Sequence, residues 1–123
     1  MARYPGLTLR ILSEKYPAMG PGKAQLVTAI DATGSISAAA RTMGMSYRRA
    51  WQLVEALNQS FSQQVVLTAT GGKRGGGASV TPFGRELIRR FRAMEDKASA
   101  AIAKDLQHFS RRLKRHPAPR GAR

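Results

Sequence analysis

The chain contains no cysteine among its 123 residues. That excludes disulfides, thiolate catalysis and cysteine-ligated zinc or iron–sulfur sites. Acidic side chains are scarce: 7 Asp and Glu stand against 21 Lys and Arg, a formal net charge of +14. Paired carboxylates for acid–base chemistry are correspondingly hard to find. Glu95 and Asp96 are adjacent in a helical stretch and point apart. The 2 histidines, His108 and His116, sit in no ligand pattern, so no metal is expected. The N-terminus has no apolar run of signal-peptide length. No window approaches the ~20 apolar residues of a membrane span. These absences lead to the expectation of a cytoplasmic protein that is not an enzyme, needs no cofactor and engages no membrane.

What is present is a 42% hydrophobic fraction, enough for one core, under a strongly cationic surface that attracts polyanions such as nucleic acid. The chain length suits one compact domain, expected over residues 1–109. A basic tail, expected to lack fixed structure, follows over 110–123, where Arg111, Arg112, Lys114, Arg115, Arg120 and Arg123 meet no acid.

Along the chain, Leu7 to Leu12 alternates apolar and polar residues as a short strand, ended by Pro17 and Gly20-Pro21-Gly22. Leu26, Val27, Ala29 and Ile30 give helical spacing from Lys23 to Thr33, and Gly34 is a natural stop. A short helix follows, with Ser37 as the expected cap, Ala38-Ala39-Ala40 inside it and Gly44 closing it. Ser46 caps a longer helix to Phe61 whose buried stripe is Ala50, Val54, Leu57 and Phe61.

Two β-branched segments, Gln64 to Thr70 and Ala78 to Thr81, flank Gly71-Gly72-Lys73-Arg74-Gly75-Gly76-Gly77. Strand, glycine tip and strand describe a hairpin with two cations at its tip. A P-loop is excluded, because Gly71-x4-Gly76 is followed by Gly77 rather than Lys-Ser/Thr. Thr81-Pro82 starts a last helix, expected to run to about Phe109 with Leu87, Phe91, Met94, Ala98, Ala101, Ile102, Leu106 and Phe109 on one stripe. At ~1.5 Å per residue it would span about 40 Å, more than a small core needs, which suggests pairing with a partner helix.

The order of these pieces is that of a winged helix-turn-helix: mostly α, with a small β-hairpin and a long C-terminal dimerisation helix. In this layout the helix over about 46–61 enters the major groove and the hairpin over about 65–81 is the wing. The candidate DNA-binding residues are Ser46, Tyr47, Arg48, Arg49, Gln52, Lys73 and Arg74. Arg48 and Arg49 suit guanine O6/N7 or phosphate, and Gln52 suits adenine. Ser46 and Tyr47 suit phosphate, while Lys73 and Arg74 suit phosphates or the minor groove. Trp51 has two readings, a support behind the wing or a contact along the DNA backbone. Ser46 has no base at a recognisable spacing, so its expected part is an N-cap rather than a nucleophile.

Ile30-Asp31-Ala32-Thr33-Gly34-Ser35-Ile36-Ser37-Ala38-Ala39-Ala40 and Gly44-Met45-Ser46-Tyr47-Arg48-Arg49-Ala50-Trp51 resemble the DNA-binding domain of the ModE family of molybdate-responsive transcriptional regulators. The glycine tip and Val80-Thr81-Pro82-Phe83-Gly84 resemble that family's wing, so that the likeness spans roughly residues 7 to 105. The helix-turn-helix part is also similar to the broader LysR-type domains. The resemblance implies a transcriptional regulator that grips an imperfect palindrome of double-stranded DNA as a homodimer. In that family the long helix and the N-terminal strand help pair the subunits, and C-terminal molbindin domains bind the oxyanion. This chain ends about where those domains would begin, so direct molybdate sensing is not expected of it. Two other readings compete: a weakly selective architectural DNA-binding protein, suggested by the charge, and an accessory module that uses its helix-turn-helix for protein contacts.

Overall fold

The computed structural model describes residues 6–69 and 77–114. The strand β1 (Ile11–Leu12) pairs antiparallel with β2 (Pro17–Met19). The sequence suggested one longer strand from Leu7 and none after Pro17. Its last two residues form the strand, Leu7 makes an isolated bridge, and the chain returns through a turn in which the Ser13 hydroxyl donates to the Tyr16 carbonyl at 2.6 Å. Pro17 is tolerated because it opens a two-stranded ribbon, where a missing N–H costs no central ladder bond.

Three helices then pack about one core: α1 (Pro21–Thr33), α2 (Ile36–Met43) and α3 (Tyr47–Ser60). α1 starts two residues before the expected Lys23, with Pro21 in its first turn, where a proline's missing donor would be unpaired anyway. Gly34 (φ 71°) and Gly44 (φ 67°) end α1 and α2 in the left-handed conformation, which a Cβ would penalise. The cap of α2 is Ser35, not Ser37. Ser35 has extended backbone and its hydroxyl accepts from the Ala38 amide at 3.1 Å, whereas Ser37 already lies inside the helix. Ala39, Ala40 and Ala50 are fully enclosed where α2 meets α3, with Leu26, Val27, Ile30, Val54 and Leu57 around them.

The second hairpin joins β3 (Val66–Ala69) and β4 (Gly77–Val80) in the register Val66↔Val80 to Ala69↔Gly77. The expected tip, with Lys73 and Arg74, lies outside the described residues. The Gly34 carbonyl accepts from the Ala78 amide at 3.0 Å, so the turn between α1 and α2 docks on β4.

The last expected helix is present but interrupted. α4 (Pro82–Ala101) and α5 (Ala103–Ser110) meet at Ile102, whose backbone (φ −109°, ψ 11°) leaves the helical region although neither proline nor glycine stands there. Thr81 caps α4 by accepting from the Gly84 amide at 2.9 Å, and its own hydroxyl donates to the Gln64 carbonyl at 2.7 Å. Phe91 closes the core from α4, and Phe83 meets Phe61 edge to face at a centroid distance of 6.4 Å. Most of the expected basic tail, from residue 115 onward, lies outside the described residues.

Among the described glycines Gly84 is the most tightly enclosed. A Cβ there would lie 2.5 Å from the Val65 carbonyl oxygen and 2.9 Å from Val80 Cγ1. Backbone and a β-branched side chain cannot both yield, so Gly84→Ala is expected to destabilise the domain by about 1–3 kcal/mol despite alanine's better helix propensity. Urea unfolding of the two proteins checks this. An unchanged midpoint would show that the strand moves freely.

Candidate nucleic-acid interface

α3 owes its position to a cap and a stripe. The Ser46 hydroxyl accepts from the Arg49 amide at 3.0 Å, as expected of an N-cap worth about 1 kcal/mol. Ala50, Val54 and Leu57 are buried, and Phe61 follows the helix, half-buried against the core. The helical repeat then divides the remaining residues into three sets. Arg48, Gln52 and Gln59 lie opposite the buried stripe and are exposed. Trp51, Glu55 and Asn58 flank it on the side of β3, where they line a cleft with Gln64, Val66 and Thr68. Arg49, Leu53 and Ala56 flank it on the other side, beside the N-terminal hairpin and the start of α1.

Among the expected DNA-binding residues, Ser46, Tyr47, Arg48, Arg49 and Gln52 are all solvent-exposed around the first two turns of α3. Tyr47 is 55% exposed at the first helical position. The structure separates the two arginines. Arg48 shares the outward face with Gln52, whereas Arg49 turns toward Arg10 and Lys23. Lys73 and Arg74 are outside the described residues. Trp51, 43% exposed, lies between α3 and β3, which favours the reading of a support behind the wing.

The sequence reading missed Asn58. Its side-chain amide donates to the Val66 carbonyl at 2.9 Å, and its carbonyl oxygen accepts from the amides of Val65 and Val66 at 2.8 and 3.1 Å. One side chain therefore locks β3 to the last turns of α3. A lone asparagine in a helix carries no signal of a partner eight residues away. Arg10 and Lys23 were missed for a related reason: they lie far from α3 in sequence.

Charge is divided unevenly. Among the acids only Glu14 and Glu55 fall outside the end of α1 and the two last helices. Asp31 at the end of α1 accepts from Arg85 of α4 at 3.0 Å. The Arg85 hydrogen bond holds the Asp31 carboxyl below its usual pKa. Glu86 pairs with Arg89 and Arg90, and the Arg90 hydrogen bond lowers its pKa in turn. Glu95, nearly buried, accepts from Arg92 at 3.1 Å. The exposed pairs of Asp31 and Glu86 add little stability. Together these acids pair Arg85, Arg89, Arg90 and Arg92 of α4, while among the described residues Arg48, Arg49, Arg10 and Lys23 have no acidic partner. Among the described residues no cluster of three or more His, Asp or Glu side chains could hold a metal, and no helix is long and apolar enough to cross a membrane.

The model of the bacterial regulatory helix-turn-helix protein, lysR family, matches residues 23–85, from the first turn of α1 through the wing into α4. The chain belongs to this lysR-type helix-turn-helix family. It is also 44% identical over 108 residues to the molybdenum-pterin-binding protein MopB of Rhodobacter capsulatus, a match covering 88% of this chain and 38% of MopB. It is 38% identical over 85 residues to the DNA-binding transcriptional dual regulator ModE of Escherichia coli (strain K12), covering 69% of this chain and 32% of that protein. The molybdenum transport protein ModE of Azotobacter vinelandii is 32% identical over 85 residues, with the same coverage of both chains. The resemblance to a ModE-type DNA-binding domain therefore holds. The chain spans about a third of the length of these relatives. α2, α3 and the β3–β4 hairpin all lie within the matched residues.

Because Asn58 hydrogen-bonds the backbone of Val65 and Val66 from α3, Asn58→Ala is expected to cost about 1–3 kcal/mol by leaving these two amides without their acceptor. Urea unfolding measures the loss. A change under about 0.5 kcal/mol would mean that the wing is held by other contacts.

Proposed function

We propose that the chain is the DNA-binding part of a cytoplasmic, ModE-like transcriptional regulator that recognises a pseudo-palindromic operator as a homodimer. The observation that carries this reading is the face of α3. Arg48 and Gln52 stand one helical turn apart, outward and exposed, on a helix whose opposite stripe is fully buried. An arginine and a glutamine so placed match the acceptor edge of guanine and the donor–acceptor edge of adenine in the major groove. Ser46 and Tyr47 at the N-terminal end of the helix, and Lys73 and Arg74 of the wing, are assigned to phosphates and the adjoining minor groove.

Two subunits are favoured by the distal apolar stripe. Met94 on α4, Phe109 on α5 and Leu113 just beyond it are 42%, 69% and 68% exposed within one chain. A second copy would cover them and would place two α3 helices on successive turns of one duplex face. Molybdenum is named for two of the relatives, MopB and the ModE of Azotobacter vinelandii. This chain is assigned the DNA-binding step and no cofactor.

Arg48→Ala is expected to relax base preference at one position of each half-site by about 1–3 kcal/mol, read as the ratio of cognate to mutated-site affinity in competition binding. An unchanged ratio would remove Arg48 from base reading. If the wild-type protein shows almost no preference for any site over random duplex at physiological salt, the architectural reading, which the net charge equally serves, takes its place. Phe109→Asp is expected to shift the protein toward monomer in sedimentation equilibrium. A dimer unaffected by this change would place the pairing surface elsewhere.

A further inference from the structure

The flank of α3 that faces away from the wing is not a plain surface. It forms one wall of a cleft of about 530 Å3 whose other walls are the N-terminal hairpin and the first turn of α1. Arg10 just before β1, Lys23 of α1 and Arg49 of α3 line it, and no acidic residue lines it among those described. Like charges converging without a counter-ion repel one another, and that arrangement is favourable only when an anion sits among them.

Lys23 is tethered at the wall. Its ammonium donates to the Pro17 carbonyl at 2.7 Å, which leaves two of its three donors for a ligand. α1 starts on Gly20 with no side-chain cap, so the amides of Gly22 and Lys23 have no intrahelical acceptor and add to the positive potential of the helix end. Burial first, and then Arg10 and Arg49, hold the Lys23 ammonium below the usual lysine pKa. A bound anion would reverse that effect.

We propose that this cleft is a phosphate site, in which Arg10, Lys23 and Arg49 with the first-turn amides of α1 hold a tetrahedral oxyanion supplied by the duplex backbone. The inference rests on the DNA-binding reading above and adds a contact to it. A helix seated in a major groove ~12 Å wide has a phosphate rim on each side. The wing lies toward one rim, across Trp51 and Asn58, and the cleft lies toward the other, across Arg49 and Leu53. Arg49 then positions the protein on the backbone, and base reading falls to Arg48 and Gln52. Free inorganic phosphate has the same chemistry and is the rival source.

Gly22→Glu separates binding from folding. A Cβ at Gly22 meets nothing within 4 Å, and an acid in the first turn favours the helix, so this variant is expected to unfold no earlier than the wild type. It should nevertheless bind cognate and unrelated duplexes about tenfold more weakly near 0.1 M salt, with the preference between them retained. Lys23→Ala should weaken both duplexes in the same way and lower the slope of log K against log salt by about one. Lys104→Ala, which removes one cation from α5, should leave the slope unchanged. Folded Gly22→Glu and Lys23→Ala proteins with wild-type affinity and slope would overturn the proposal, as would loss of base preference in either, or an equal fall in slope for Lys104→Ala.

If the wild-type protein retards no duplex at low salt, the DNA reading itself has failed, and titration of the isotope-labelled protein with inorganic phosphate decides the site. Shifts of the Gly22 and Lys23 amides that weaken in Arg10→Ala would keep the anion site, with free phosphate as its source. Absence of such shifts would overturn it.

Discussion

The close crossing of α2 and α3 is the constraint on which the rest of the molecule depends. Ala39, Ala40 and Ala50 are almost wholly enclosed there, and the distance between two packed helices is set by the side chains at their contact. Methyl groups let α3 sit deep enough for Val54 and Leu57 to reach the same core as Leu26 and Ile30. With that stripe buried, the helical repeat turns Arg48, Gln52 and Gln59 outward and puts the positions between on the two flanks. The sharp connection through Gly44 and the cap at Ser46 preserve the arrangement, because both turn the chain without adding bulk at the crossing.

Around this fixed rod the molecule places two lateral supports. One is the β3–β4 hairpin, held to α3 through Asn58, to α4 through Thr81 and to the α1–α2 turn through the Gly34 carbonyl. The other is the short N-terminal ribbon with the start of α1. Neither has a core of its own: Val66, Ala78 and Val80 of one and Met19 of the other are buried in the shared core, and hydrogen bonds to backbone groups add to that hold. Such bonds are directional, and losing one partner strands a buried donor or acceptor.

The distribution of charge follows the same division. Acids on α4 and at the end of α1 pair with arginines of α4, while among the described residues Arg48, Arg49, Arg10 and Lys23 have no acidic partner. Net charge alone would draw any polyanion to any face. Among the described residues, exposed cations without an acidic partner stand both around the N-terminal end of α3 and, as Lys104, Arg111, Arg112 and Lys114, at and beyond α5. The far end of the last helices is also marked by exposed apolar side chains such as Phe109.

The local features were readable in the residues themselves. Glycine stops at Gly34 and Gly44, the Ser46 and Thr81-Pro82 starts, the buried stripe of α3 and the alternation of the wing strands depend on neighbours within a few positions, where backbone sterics and capping act. The outward placement of Arg48 and Gln52 followed from the same periodicity. Local signals misled at three points: the cap expected at Ser37 is Ser35, β2 begins at Pro17 where the strand was expected to have ended, and the last helix breaks at Ile102. Other features were decided only by the fold. The parting of Arg49 from Arg48, the meeting of Arg49 with Arg10 and Lys23, and the hold of Asn58 on β3 all join residues distant in sequence or on different elements. Such pairings are set by how helices and strands pack in three dimensions, and no pattern along one dimension encodes them.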